Sequence, residues 1–376
     1  MIIGILKEPQ HENRVSVLPE VAGQLVKMGC QVLVETTAGE KSFATNADYE
    51  NAGAKTASRS DVLATDLVIG INSISNEEIS SMKAGAVLVA VLQPLFNKQT
   101  VLKCIDQNIS SFSLDMIPRT TRAQSMDILS SQATAGGYKA VLTAAIHLPK
   151  FFPMFMTAAG SITPAKVLIL GAGVAGLQAI ATAKRLGAVI EAFDTRAAVK
   201  EEVQSLGAKS IEVEGAADSK AAGGYAVEQS KEYQDKQKQK IHESAIKADV
   251  IITTAQIPGR KAPVLITKET VSSMKNGAVI VDMAASTGGN CELTKNNEVI
   301  QVNGVTIIGN SNLPGTIPAD ASKMFGKNVL NFLKLIITKE GNINLNFEDD
   351  IVKGTCITHD GKVVNDRVNS LIPVNS

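Results

Sequence analysis

Short apolar runs alternate with stretches of helical spacing from the first residue of the chain onward. Residues 2–6 (I-I-G-I-L) read as a buried strand, 19–28 as a helix and 31–35 as the next strand, with Gly29 in the C-cap position between them. The same beat continues through 67–70, 86–92 and 110–113. Alternation of this kind predicts a parallel sheet covered by helices.

A polar loop at 118–132 interrupts the pattern, a connecting helix is expected over 135–147, and the greasy stretch 151–162 (F-F-P-M-F-M-T-A-A-G-S-I) is expected to form a hairpin. A second β/α series starts at Lys166 and includes 190–193, 250–253, 278–282 and 306–309. Beyond Leu313 come one amphipathic helix, about 319–337, and a strand pair turning at His359-Asp360-Gly361, a tail expected to return to the first domain. The predicted fold is α/β, with two Rossmann-like doubly wound parallel-sheet domains separated by a cleft. The first is expected to span 1–134 and about 315–376, the second 135–314. Residues 215–233 are small and aperiodic and are expected to form a long mobile loop. The charged run 231–247 reads as a solvated helix face.

Composition narrows the partners. A chain of 376 residues exceeds what one core usually organises, and 37 Lys+Arg balance 37 Asp+Glu, so nothing favours nucleic acid or anionic lipid. The four cysteines (30, 104, 291, 356) and four histidines (11, 147, 242, 359) are scattered, with no disulfide framework or metal site in their spacing. The N-terminus lacks the regions of a signal peptide, and the longest apolar runs, such as 84–92, fall short of the roughly 20 residues that cross a bilayer. A soluble, cytosolic chain with no direct membrane insertion is expected.

The chemistry begins at Gly171, Gly173 and Gly176, in G-x-G-x-x-G register between a strand and a helix. That context marks a dinucleotide turn: the glycines permit a tight turn and close backbone approach, and the helix start at Val174 and Ala175 offers N–H groups to phosphate. Asp194, 18 residues after Gly176, ends the next strand and is placed to take ribose hydroxyls and repel a 2'-phosphate. It favours NAD(H) over NADP(H), although Arg196, past Thr195, offers a cation to a 2'-phosphate. Gln256, Ile257 and Pro258 follow a later strand and are expected to contact the adenosine half through backbone groups. Residues 118–132 (P-R-T-T-R-A-Q-S-M-D-I-L-S-S-Q) crowd two arginines with Gln, Ser and Asp, but hold no His, Cys or Lys.

The stretches R-A-Q-S-M-D-I-L-S-S-Q (122–132), M-T-A-A-G (156–160), G-V-A-G-L-Q-A-I-A-T-A-K-R-L-G-A (173–188), A-G-G-Y-A (222–226) and G-T-C-I-T-H-D-G (354–361) together resemble the NAD(H)-binding component, or alpha subunit, of proton-translocating NAD(P) transhydrogenases. The resemblance runs essentially end to end. The opening G-I-L-K-E-P…N-R-V-S-V-L-P-E (4–20) is also similar to alanine dehydrogenases. The resemblance implies that Arg119, Gln124, Asp127 and Ser130 contact the nicotinamide half of NAD(H), and that Tyr225, beside the hinge glycines Gly223 and Gly224, closes over the nucleotide. It further implies NADP(H) on a separate partner component, a membrane component that couples hydride transfer to proton movement, and a homodimer in which the hairpin at 151–162 crosses to a second copy. The chain would then be cytoplasmic and peripherally associated with the inner membrane through its partner subunits.

Two other classes remain open. An amino-acid dehydrogenase needs a proton-transfer group and cations for the substrate carboxylate. The resemblance to alanine dehydrogenases implies a histidine after 87–92, an acidic residue before Gly288-Gly289 and a lysine near 71–72; here the first is Gln93, the second is Ser286 and the third is absent. Lys7 and Arg14 remain. A non-catalytic NAD-binding module would bind the nucleotide without transferring hydride. If residues 118–132 are an orienting clamp, they suit hydride transfer between two nicotinamides, which needs positioning more than acid-base chemistry.

Overall fold

The computed structural model describes residues 1–213, 230–257 and 259–371. The chain divides into two compact units, one made of Met1–Gln132 with the chain from Gly315 onward, the other of Ala133–Pro314. Both are parallel-sheet α/β units of Rossmann-like form.

The first unit is an eight-stranded sheet in the order Lys362–Val363, Cys356–His359, Ser110–Ser113, Val87–Val91, Leu67–Asn72, Ile2–Ile5, Gln31–Glu35, Lys55–Ala57. The six strands from the N-terminal portion of the chain pair in parallel, while Cys356–His359 adds antiparallel to Ser110–Ser113. Side-chain alternation along the strands builds two cores. Ile3, Ile5, Leu67, Ile69, Val87 and Val89 face one side, and Val68, Leu88 and Ala90 the other. The short helices Asn46–Asn51, Arg59–Leu63 and Asn76–Ser81 each start from a reciprocal capping box: Thr45 with Asp48, Ser58 with Asp61, Ser75 with Glu78.

The helix Pro318–Ile336 covers the first core with Phe325, Val329, Phe332, Leu333 and Ile336, all buried at helical spacing. Proline at its start suits the first helical position. Phe332 packs its ring against Phe112 at a centroid separation of 5.5 Å.

The second unit is built on a seven-stranded sheet in the order Lys209–Ser210, Val189–Phe193, Lys166–Leu170, Val250–Thr253, Val279–Asp282, Val305–Ile308, Val299–Val302. All neighbours are parallel except the last pair. The sheet starts in its middle at Lys166–Leu170 and reverses winding direction between that strand and Val250–Thr253. Ligand crevices of such sheets lie outside the carboxyl ends of the strands at this reversal. Val167 and Ile169 face one core, Leu168 and Leu170 the other.

Two sequence expectations need correction. The helix expected over 135–147 runs Ile128–His147, so the end of the polar loop, including Ser130, is helical. Its first turn carries little apolar periodicity; a polar cap, described below, starts it instead. Residues 230–233 do not belong to a mobile loop. Ser230 accepts the Tyr233 N–H, the helix Lys231–Ala245 begins, and Tyr233 is buried. The rest of the expected loop, 215–229, lies outside the described residues.

Phe332 is fully buried. Phe332→Ala is expected to cost about 3–5 kcal/mol of stability in urea unfolding, because it opens a cavity between helix and sheet. A loss below about 1 kcal/mol would mean that the helix contributes little to the first core.

Candidate functional site

In the second unit the strand Lys166–Leu170 ends in Gly171 at φ 97°, a left-handed conformation that favours glycine. The chain then turns into the helix Val174–Arg185, whose N-cap Gly173 supplies no side-chain capping bond. A Cβ at Gly176 would lie 1.9 Å from the Gly171 carbonyl oxygen, so helix and turn meet at a distance that excludes a side chain. At Gly173 an added Cβ would, among the described residues, find only Arg196 Nη2, at 3.8 Å. The turn is therefore closed beneath and open above. Thr254 donates its hydroxyl to the Gly171 carbonyl (2.9 Å) and its N–H to Leu170, tying the neighbouring strand end to the turn.

Gly137, on the helix Ile128–His147, makes a comparable approach: a Cβ there would lie 2.1 Å from the Ala175 carbonyl. This support for the turn was not found from sequence, where Gly136-Gly137 read only as helix interior.

Asp194 follows directly on the strand Val189–Phe193. Its carboxylate has four protein donors. Arg196 gives its backbone N–H and Nε to Oδ1, both at 2.9 Å, and its Nη2 to Oδ2 at 2.8 Å, while the Ala172 N–H binds Oδ2 at 2.7 Å. Burial raises the Asp194 pKa, but these bonds and the Arg196 charge outweigh it and hold the group below the ordinary aspartate value. Thr195 lies between the two, half-buried.

The loop after Val250–Thr253 is held by a residue that sequence reasoning missed. Asn290, fully buried, accepts the Ala255 N–H (3.0 Å) and donates to the Ala255 and Pro263 carbonyls, each at 2.8 Å. Asp282, also fully buried, takes Thr253 Oγ1, Thr294 Oγ1 and the N–H groups of Ala284 and Cys291. Both charge and amide are satisfied, which is the condition for burying them. Exposed Gln256 donates Nε2 to the Met283 carbonyl, and Ile257 accepts the Arg260 N–H. Pro258, Gly224 and Tyr225 lie outside the described residues.

In the first unit the polar stretch forms a 3-10 turn, Thr121–Met126, anchored by buried Ala123 and Met126. Asn328 and Asn331, from the helix Pro318–Ile336, both donate to the Ser125 carbonyl, at 2.8 and 3.1 Å. Arg119 and Gln124 are exposed. Asp127 caps the helix Ile128–His147: Oδ1 accepts the Ser130 N–H (2.9 Å) and Oδ2 the Ser130 hydroxyl (2.6 Å). Asp127 and Ser130 therefore have a structural task that stands whatever else they touch. Arg122 forks onto Asp349, with both contacts at 2.6 Å, and also binds Asp350, so it is an ion-pair residue.

Arg14 also has protein partners. Glu12 takes its Nε and Nη2, and Gln132 its Nη1 at 2.7 Å. Lys7 Nζ donates to Thr37. The four cysteines are buried and unpaired, and burial pushes the Cys104 and Cys356 thiols up to about 12, which makes them poor nucleophiles. Among the described residues no cluster of His, Cys, Asp and Glu is arranged to hold a metal, and no helix is long and apolar enough to cross a membrane.

Sheet order and glycine turn define a two-domain Rossmann-fold protein with a dinucleotide-type turn in its second unit. Residues 4–135 match the family described as alanine dehydrogenase/PNT, N-terminal domain, and 140–366 match alanine dehydrogenase/PNT, C-terminal domain. The chain belongs to this family of oxidoreductases. It is 44% identical over 375 residues to the first section of NAD(P) transhydrogenase subunit alpha of Rhodospirillum rubrum, covering 97% of this chain and 98% of that one. To alanine dehydrogenase of Mycolicibacterium smegmatis it is 26% identical, covering 98% and 96%. The crystal structure of transhydrogenase from Sinorhizobium meliloti superposes with a TM-score of 0.89 at 43% identity, covering 97% of this chain and 100% of that one.

The Arg122 bonds, with smaller help from the Ile351 and Val352 N–H groups and against the opposing effect of burial, hold Asp349 at about 2. Its folded pKa lies below the unfolded value of roughly 3.9, so its stabilisation is complete above that value and is lost as pH falls toward about 2. Arg122→Ala is expected to move the Asp349 titration, followed by carboxyl carbon NMR, back up toward the ordinary range. The stability cost at neutral pH should be small, since Arg122 is half exposed and its charge is screened by solvent.

Proposed function

We propose that this chain is the NAD(H)-binding component of a proton-translocating transhydrogenase and passes hydride from NADH to NADP+ carried by a separate partner component. The C4–H bond of the dihydronicotinamide breaks as a C–H bond forms at C4 of the acceptor ring. NADH is oxidised, NADP+ is reduced, and no proton is exchanged with the protein. A membrane component would couple this step to proton movement, leaving the chain cytoplasmic and peripheral to the inner membrane.

The observation that carries the reading is the turn Thr121–Met126, pinned from behind through Ser125 and presenting exposed Gln124 on a stretch without a group that titrates near neutral pH. Such a turn suits orientation of a ring. Gln124 and Arg119 would meet the nicotinamide half or the second nucleotide, and Asp127 and Ser130 the carboxamide or ribose, with Tyr225 and Gly224 closing over them. Gly171, Gly173, Val174, Ala175 and Gly176 would receive the pyrophosphate at an uncapped helix start, and Asp194, Thr195 and Arg196 the adenosine ribose. Gln256, Ile257 and Pro258 would border the adenosine half. An amino-acid dehydrogenase fits less well, because Arg14, the cation best placed in sequence to meet a substrate carboxylate, already binds Glu12 in bidentate fashion.

Stopped-flow absorbance tests the reading. The chain with NADH is mixed with an NADP(H)-binding partner carrying an oxidised, spectrally distinct NADP analogue. Rapid transfer is expected, slowed by about tenfold or more in Gln124→Asn or Asp127→Asn while NADH still binds. Asparagine at 127 keeps a helix cap, so misfolding does not confuse the result. Tight NADH binding without transfer to the partner would leave a nucleotide-binding module instead.

The hairpin Phe155–Thr157 with Gly160–Ile162 supports a homodimer. It exposes Met154, Phe155, Met156 (75% accessible) and Ile162, with the Phe151 ring tilted against that of Phe155 at a centroid separation of 4.6 Å. Sedimentation equilibrium at micromolar concentration is expected to give twice the chain mass. Monomer alone would defeat the dimer.

A further inference from the structure

Along the helix Pro318–Ile336 the residues Ala321, Phe325, Asn328, Phe332 and Ile336 recur at helical spacing and are all buried. The period calls for an apolar side chain at every one of these positions, and Asn328, only 8% accessible, breaks the rule. Its Nδ2 donates to the Ser125 carbonyl at 2.8 Å, but its Oδ1 is buried with no hydrogen-bond partner among the described residues. A half-satisfied amide in a core opposes stability, and a leucine of similar size would pack there without that penalty. Asn331, on the same helix face and partly exposed, gives the same carbonyl a second donor at 3.1 Å. A carbonyl oxygen has two lone pairs, so one helix engages both. Ser125 directly follows Gln124, whose own carbonyl takes the Asp127 N–H at 3.3 Å. The backbone after Gln124 is thus held on both counts, while the Gln124 side chain stays exposed.

We infer that Asn328 and Asn331 are positioning residues for the hydride step: through the Ser125 carbonyl they hold Gln124 where it meets the reacting rings. Asn328 occupies a core position that an apolar residue would fill with greater stability, which is the usual exchange where activity requires a defined geometry. A turn released from the helix would let the ring drift, and a displacement of about 1 Å can slow a positioned reaction about a hundredfold. The inference rests on the transhydrogenase reading above and deepens it.

The test combines circular dichroism melting, NADH titration by fluorescence and single-turnover stopped flow against the NADP(H)-binding partner, on Asn328→Leu, Asn331→Ala and Asn328→Leu in a Gln124→Asn background. Loss of folded protein lowers the amplitude of a single turnover, whereas loss of positioning lowers its rate constant. Asn328→Leu is expected to melt at or above the wild-type temperature, to bind NADH within about twofold of wild type, and to transfer hydride about tenfold or more slowly at full amplitude. Asn331→Ala should slow transfer in the same way by about threefold or more. On top of Gln124→Asn, the Asn328 change should slow transfer by less than about twofold, because the two act through one contact. A lowered melting temperature with a wild-type rate constant would overturn the inference, and so would a slowing that adds in full to that of Gln124→Asn. If Asn328→Leu does not fold, a wild-type rate in Asn331→Ala overturns it instead. A wild-type chain that binds NADH yet transfers no hydride would sink the transhydrogenase reading itself, a result distinct from these.

Discussion

A hydrogen atom where any other residue carries a carbon sets the construction of the second unit. At Gly176 the helix Val174–Arg185 comes so close to the Gly171 carbonyl that a methyl group would overlap it, and Gly137 brings a second helix equally close to Ala175. Packing at this distance leaves the first helical N–H groups at the carboxyl end of Lys166–Leu170, where the sheet reverses its winding. The dipole of the helix and its first N–H groups, which have no side-chain cap, then point to that end of the sheet. Larger residues at these glycines would push the helix back and blunt the turn.

Around that turn, buried polar groups take over from apolar packing. Asp282 and Asn290 are completely enclosed yet satisfied, and between them they tie the loop from Ala255 to Pro263 to the end of the strand Val279–Asp282. Loops with few apolar anchors gain a defined shape in this way, since leaving any of these groups unpaired would be costly. In the first unit two asparagines of one helix, buried Asn328 and partly exposed Asn331, converge on the Ser125 carbonyl.

Much of the fold was legible because its signals are local. Uninterrupted apolar runs such as 67–70 and 250–253 mark strands buried on both faces, and the glycine register at 171–176 marks the turn between one of them and a helix. The family resemblance was likewise carried by contiguous stretches, and 44% identity to a transhydrogenase subunit bears it out. What escaped was non-local or ambiguous. Asn290, Asn328 and Asn331 owe their roles to partners far along the chain, and a lone asparagine in a helix or loop carries no sign of its partner. The early start of the helix Ile128–His147 was hidden because Asp127 and Ser130 begin it through a cap and not through apolar spacing. Asp194 was placed correctly at its strand end, but that Arg196 saturates it depends on side-chain geometry two residues away.

The two asparagines that hold the polar turn lie 203 and 206 residues beyond Ser125, and the strand Cys356–His359 that extends the first sheet comes later still. A ribosome adding about 5–20 residues each second must therefore complete the whole of the second unit before the first acquires its last helix and edge strand. The first unit waits, incompletely assembled, for about ten seconds at the fastest of these rates and about forty at the slowest. Its turn is fixed only when the final stretch of the chain emerges, so a turn that stands early in the sequence is among the last segments to take shape during synthesis.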